Sequence, residues 1–348
     1  MSEGSRPSRR EFLKSAGAIA GAVVAGGVVG GVIGWNMKPT PKVEEKLGEG
    51  LEVWFFCGGP PGCPFATVVY NGALAAEKEL GCKVKYVWSD WNPEKMVNQF
   101  REAIAAMPDG ICIMGHPGDT GYGTLIDEAF EKGIIVTCQN TDLPKHREKY
   151  ATRGFGYVGQ NLYQSGYTLG SEAVKRLKLK PGDRGLVWGL LREETRGLRT
   201  KGVIDAWEKA GLTVDYMEIS PEVDADPSLG IPTITAYISS HPDVKIICTD
   251  HGSLTATLPK YFEAAGKKPG EIYGVGFDTL APTLDGIKAG WIQLVLDQQQ
   301  WLQGYLPIHQ VVLTKNFLFS GLYIDTGGGI VDASNVDQVY ELAKKKVR

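Results

Sequence analysis

The sequence has little from which to build a catalytic centre. It holds only five histidines in 348 residues, with no cluster among them and no Cys-x-x-Cys pair, so no metal is expected. No Gly-x-Ser-x-Gly elbow is present, and the Gly-Pro-rich loop 58–65 after the first strand lacks the Gly-x-Gly-x-x-Gly and Gly-x-x-x-x-Gly-Lys-Ser/Thr spacings that cradle nucleotide phosphates, so no cofactor is expected. A basic excess is also missing. With 37 Lys and Arg against 40 Asp and Glu the net charge is -3, which offers nothing to neutralise phosphates and argues against nucleic acid as a partner. The expectation is therefore a protein that binds and does not catalyse.

At 348 residues the chain exceeds the usual size of one hydrophobic core, so two lobes are expected. Residues 1–37 stand apart. Ser8-Arg9-Arg10-Glu11-Phe12-Leu13-Lys14 precedes an uncharged run from Ser15 to Asn36, and a basic head before an apolar run is an export signal. The heptad resembles the twin-arginine signal, which sends folded proteins across the inner membrane. The run is about 20 residues, enough to span a bilayer, and its end shows no small-x-small cleavage site. A cleaved signal and a retained anchor both remain open. Residues 38–50, with Pro39 and Pro41, read as a polar linker. Residues 1–38 carry five basic and two acidic side chains, so the remainder has a charge of -6.

Six cysteines in an exported chain permit disulfides. Cys112, Cys138 and Cys248 sit in apolar strand patterns and read as buried thiols. Cys57 and Cys63 flank a Gly-Pro-rich loop and form the candidate bridge, with two unpaired thiols as the alternative.

From residue 51 onward short apolar runs alternate with helical patterns of 10 to 15 residues. Strands are expected at 51–57, 83–88, 111–114, 134–138, 185–188, 213–219, 244–248, 272–275 and 292–296, with helices between them. Asn92 is the expected cap of a helix over 93–106. This alternation implies βαβ units and parallel sheets. The pattern pauses near Tyr157 and restarts, giving two similar lobes. The last stretch, 299–348, reads as one helix followed by short Gly-rich segments.

Ligands of open α/β sheets bind at the carboxyl ends of the strands. The polar residues at those ends are therefore the candidate site. Gly274-Val275-Gly276-Phe277-Asp278 is the clearest case, a buried strand that finishes in a carboxylate. Asn140 follows the fourth strand and offers both donor and acceptor atoms. Asp119 lies in the loop after the third strand, where His116 also reads as a contact or as a structural residue. Arg199 opens a helix, where its guanidinium can fork two hydrogen bonds onto one ligand. Asp250 and Gln298 end two further strands. Phe65, at a helix start, reads as a ring for the C–H face of a sugar or as core. Carboxylate, amide, guanidinium and ring together suit a polyhydroxylated molecule.

From Leu51 to about Asp332 these segments resemble the periplasmic sugar-binding proteins of the ribose-binding type, the solute receptors of ABC importers. The residues that carry the likeness are Pro64-Phe65, Gly110-Ile111-Cys112-Ile113, Tyr157-Val158-Gly159-Gln160-Asn161, Arg199-Thr200-Lys201-Gly202, His241-Pro242-Asp243-Val244, Val275-Gly276-Phe277-Asp278 and Asp297-Gln298-Gln299. The resemblance implies an α/β fold of type I: two Rossmann-like lobes with parallel sheets, joined by a three-crossing hinge. It implies lobes of 51–158 with 299–322 and of 159–298 with 323–348. It also implies sugar contacts at Phe65, Asn140, Arg199, Asp250, Asp278 and Gln298, a simple sugar or polyol as ligand, membrane permease and ATPase subunits as partners, and a monomer. Asn140-Thr141 stands where the family often has Asp-Arg, and Asp250 where it often has Asn, so the donor set departs from that for ribose. The same fold serves as the effector domain of transcription regulators, which the export signal disfavours. A receptor for a sensor or chemotaxis protein, or an exported enzyme, are the other readings.

Overall fold

Twelve strands and thirteen α-helices alternate along residues 46–348, the part of the chain that the computed structural model describes. The expected signal (1–37) and most of the expected linker (38–50) lie outside the described residues. The first half runs β1 (Glu52–Gly58), α1 (Pro64–Leu80), β2 (Lys83–Trp88), α2 (Pro93–Ala106), β3 (Gly110–Met114), α3 (Gly118–Tyr122), α4 (Leu125–Glu131), β4 (Ile135–Gln139), α5 (Pro144–Tyr150) and β5 (Gly156–Gly159). The second half runs α6 (Leu162–Leu177), β6 (Arg184–Gly189), α7 (Gly197–Lys209), β7 (Thr213–Glu218), α8 (Pro221–Ala225), α9 (Ile231–Ser240), β8 (Val244–Thr249), α10 (Gly252–Ala264), β9 (Tyr273–Phe277), α11 (Ala281–Lys288) and β10 (Ile292–Asp297). The chain then continues through α12 (Gln300–Phe317), β11 (Tyr323–Asp325), β12 (Gly329–Asp332) and α13 (Val336–Lys344).

Two sheets result. The first has the order β11-β5-β4-β3-β1-β2 and is parallel throughout. The second has the order β12-β10-β9-β8-β6-β7 and is parallel except for β12, which runs antiparallel to β10. The same winding thus occurs twice. Helices cover both faces of each sheet, which is why the central strands read as unbroken apolar runs. In β1, Val53, Phe55 and Cys57 face α1 and α12, whereas Trp54 and Phe56 face Met96 and Phe100 of α2. This is the period-two alternation of a strand. Full burial of a ring such as Phe55 or Phe100 contributes about 1.5–3 kcal/mol. Asn92 caps α2 as expected, its side chain accepting the N–H of Lys95 at 2.9 Å, with Pro93 in the first turn.

Several expectations need correction. The pause near Tyr157 is itself a strand, β5, too short and glycine-flanked to show in the pattern. The stretch 299–348 holds a second helix, α13, as well as α12. Tyr323–Asp325 pairs with β5 in the first sheet, while Gly329–Asp332 pairs with β10 in the second. The third crossing therefore falls between Asp325 and Gly329, and the lobe boundary expected at 322/323 is a few residues too early. The physical reason is that β11 finds a free parallel edge beside β5, which the sequence of a three-residue strand does not advertise.

Candidate functional site

Four strands deliver a polar residue at their carboxyl ends to one place. Asn140 is the first residue after β4, Gln160 after β5, Asp278 after β9 and Gln298 after β10. Asn140 and Asp278 both leave their strands with positive φ, 68° and 73°. Asn and Asp tolerate that left-handed conformation better than other residues with side chains. Each is pinned by its backbone N–H to the neighbouring strand, Asn140 to the Val158 carbonyl at 3.0 Å and Asp278 to the Leu296 carbonyl at 2.9 Å.

Gln298 links the two. Its Nε2 donates to Asp278 Oδ1 at 2.6 Å, and its Oε1 accepts from Asn140 Nδ2 at 3.2 Å and from Gln160 Nε2 at 3.3 Å. Gln300 Nε2 and the Gly252 N–H also donate to Asp278, each at 3.0 Å. Burial pushes the Asp278 carboxyl above its ordinary value, against the opposing pull of the Gln298 hydrogen bond and of Arg199.

Asn140, Asp278 and Gln298 floor a cavity of about 610 Å³ that is also lined by Phe65, Trp91, His116 and Arg199. That volume suits a small ligand. One wall is aromatic. The Phe65 and Trp91 rings meet edge to face at 5.7 Å, and Trp91 stacks on His116 at 5.3 Å. His116 Nε2 lies 2.9 Å from Asn140 Oδ1. Burial, then the nearby Arg196, pushes the imidazole down to about 3, so it is neutral at physiological pH. Glu193, Glu194, Arg196 and His251 from the second half line the opposite side.

Arg199 sits in the first turn of α7, where α7 lies close against α6. A Cβ on Gly166 would fall 1.9 Å from the Arg199 carbonyl, and one on Gly202 would fall 2.2 Å from the Tyr163 carbonyl. Only glycine permits this approach, which sets the backbone of α7 at Arg199 directly against α6. Arg199 donates two hydrogen bonds to Asp250, from Nε at 3.1 Å and Nη2 at 2.7 Å, and packs over the Phe277 ring at 5.1 Å. Thr200 Oγ1 adds a third bond to Asp250 at 2.8 Å. Burial opposes charge on Asp250, but Arg199 holds the carboxyl well below the usual carboxylate range. The arrangement offers amide and carboxylate groups to hydroxyls and a ring wall to C–H faces. Its one buried guanidinium is already matched by a carboxylate.

The expected contacts Phe65, Asn140, Arg199, Asp278 and Gln298 thus share one cavity. Two others do not reach it. Asp250 has a fully buried side chain behind Arg199 and serves to hold that guanidinium. Asp119 belongs to α3 and turns away, accepting the N–H groups of Lys145 at 3.2 Å and His146 at 3.1 Å with His146 Nδ1 2.6 Å distant. It lines a separate shallow pocket. The expected Cys57–Cys63 bridge is absent, and both are free thiols. Strand alternation turns Cys57 into the core beneath α1, while Cys63 sits at the start of α1 on the cavity wall.

Sequence reasoning missed Trp91, which lines the cavity, and Gln160, which lies behind the floor and supports Gln298. Both follow the strand-end rule. Gln160 was hidden because β5 went unrecognised, and Trp91 because it stands three residues beyond β2, in Ser89-Asp90-Trp91-Asn92 with φ 57°.

The model of the periplasmic binding protein domain family matches residues 57–314. The xylose/arabinose-binding protein XylF of Sulfolobus acidocaldarius is 29% identical over 296 residues, covering 81% of this chain and 71% of the relative. Among solved structures, a carbohydrate transporter protein from Acidothermus cellulolyticus in complex with myo-inositol superposes with a TM-score of 0.72 at 22% identity, covering 86% of this chain and 99% of that one. An ABC transporter solute-binding protein from Burkholderia graminis in complex with D-arabinose gives a TM-score of 0.72 at 24% identity, covering 83% and 97%. The two-lobed α/β fold is the one these structures share. With three quarters of its length matched by the family model, this chain belongs to the periplasmic binding protein domain family.

Proposed function

We propose that this protein is the extracytoplasmic solute receptor of an ABC importer, and that it takes a neutral simple sugar or polyol into its cleft and releases it unchanged. The observation that carries the reading is the chain Asn140–Gln298–Asp278 on the cavity floor facing the Phe65–Trp91 wall. Such a floor supplies both donors and acceptors for hydroxyls, and a buried group left unpaired by the wrong isomer costs about 1–3 kcal/mol. The family and the xylose/arabinose-binding relative support the ligand class.

In this reading Phe65, Asn140, Arg199, Asp278 and Gln298 touch the sugar, joined by Trp91 and His116, and Asp250 acts through Arg199. One lobe comprises 51–159 with 299–325 and the other 160–298 with 329–348, and hinge closure about the crossings traps the ligand. The closed monomer then meets permease and ATPase subunits at the membrane. Export follows the twin-arginine route, and the apolar run Ser15–Asn36 stays attached as a tether, since its end offers no small-x-small site.

A thermal-shift screen tests the ligand class, because a ligand that binds the folded state raises the melting temperature. D-xylose, L-arabinose, D-arabinose or myo-inositol should raise it. Glucuronate should not, since the Arg199 charge is already matched by Asp250. A shift with nucleotides or amino acids alone would refute the assignment.

A further inference from the structure

Helix α12 starts beside the cleft, where Gln300 bonds Asp278, and runs 18 residues to Phe317. At 1.5 Å per residue its far end lies about 27 Å from the sugar network. There the chain exposes Phe317, Leu318, Phe319, Leu322 and Tyr323 within seven residues, Leu318 at 87%. The Phe317 and Phe319 rings lie 5.8 Å apart. Leu318 holds the left-handed position that ends the helix, φ 58°, where glycine or asparagine is usual. The fold recovers no burial from a leucine there. A contiguous exposed apolar patch of this kind marks an interaction surface.

The place where the described chain begins points to the occupant. The Leu47 carbonyl accepts the Asn316 side-chain N–H at 2.6 Å, and Leu47 is itself 51% exposed, so the N-terminal segment enters the fold at the border of this patch. Nine residues, 37–45, separate Asn36, the end of the uncharged run, from Lys46. Fully extended they reach at most about 35 Å. A membrane that holds Ser15–Asn36 is therefore within a short tether of the patch, and aromatic and leucine side chains are those that partition into its interface.

From this geometry we infer that the Phe317–Tyr323 patch is a lipid-contact surface, which seats the tethered receptor on the bilayer at the pole of the first lobe remote from the cleft. The inference rests on the proposed retention of the apolar run. It adds an orientation to the tether, because lipid contact at this pole leaves the cleft open to solvent sugar.

The test uses the full chain reconstituted into phosphatidylcholine vesicles, with a photo-reactive benzophenone amino acid in place of Leu318. A second preparation carries it in place of Leu229, which is 55% exposed on the second lobe. After illumination, mass spectrometry identifies the adduct. The expected result is a phospholipid adduct at least tenfold more abundant from position 318 than from 229, with D-xylose or L-arabinose binding unchanged. An adduct to a second copy of the chain, or to the chain's own residues 15–36, overturns the inference. So does the absence of a lipid adduct while the chain remains in the vesicle pellet. Release of the chain from the vesicles overturns the retained anchor along with it, whereas retention with no sugar binding would count against the receptor reading instead.

Discussion

Asn140 and Asp278 occupy matching positions in the two lobes. Each is the first residue beyond the fourth strand of its winding, each has left-handed φ, and each is tied by its N–H to the next strand. Gln298 bonds to both, at 3.2 and 2.6 Å. The duplicated fold thus brings two equivalent strand ends together, one an amide and the other a carboxylate.

Gln298→Ala should disrupt this floor. Asn140, Gln160 and Asp278 would each lose a partner. The expected cost is about 1–3 kcal/mol in stability and at least a tenfold loss of sugar affinity, about 1.4 kcal/mol. Denaturant titration and calorimetry read the two separately. Affinity equal to that of the native protein would remove Gln298 from the ligand's contacts.

The aromatic wall gives a second test. Phe65 is half-buried at the start of α1 and Trp91 stands against it. Trp91→Ala and Phe65→Ala should each weaken sugar binding severalfold while leaving circular dichroism unchanged. If both bind sugar as the native protein does, the wall is packing for the loop and not a platform for the ring of a sugar.

How far the site could be read from the sequence depended on strand length. Asp278, Asn140 and Gln298 follow strands of five or six residues whose apolar runs are plain, and the rule that ligands gather at strand ends found them. Gln160 follows the four-residue β5, bounded by Gly156 and Gly159, and stayed hidden until pairing with β4 and β11 revealed it. Asp119 and Asp250 show the limit of the rule. Both sit near strand ends, but a neighbour claims each carboxylate: His146 with two backbone N–H groups for Asp119, and Arg199 with Thr200 for Asp250. Only packing between segments distant in sequence decides whether a polar side chain faces ligand or partner. The same holds for Cys57, whose position on β1 turns it away from Cys63.

His116 makes stability depend on pH. Its folded value is pushed down to about 3 by burial and by Arg196, from an ordinary value near 6.5. Between those limits the unfolded chain binds a proton that the folded protein does not, so stability falls as pH drops below about 6.5 and levels off near 3. At pH 5 the loss from this residue is about 2 kcal/mol relative to pH 7. His116→Gln should lose less stability than the native protein over that interval, measured by urea midpoints at both pH values. Equal losses would mean that burial on the cavity wall does not hold the His116 imidazole neutral.

The cysteines offer a chemical check. Cys63 is partly exposed on the cavity wall, and the other five thiols are buried. A maleimide reagent should label one thiol per folded chain, at Cys63, and bound sugar should slow the labelling. Reductant should leave the melting temperature unchanged. A melting temperature that falls on reduction would restore the bridge between Cys57 and Cys63.

The most direct test is a calorimetric titration of the native protein and of Asp278→Ala with D-xylose, L-arabinose and myo-inositol, with the sugar recovered and analysed afterwards. The account predicts one site per chain for at least one of these ligands, affinity at least tenfold weaker in the variant, about 1.4 kcal/mol, and sugar returned intact. Binding that is indifferent to Asp278, or sugar that returns chemically altered, would contradict it.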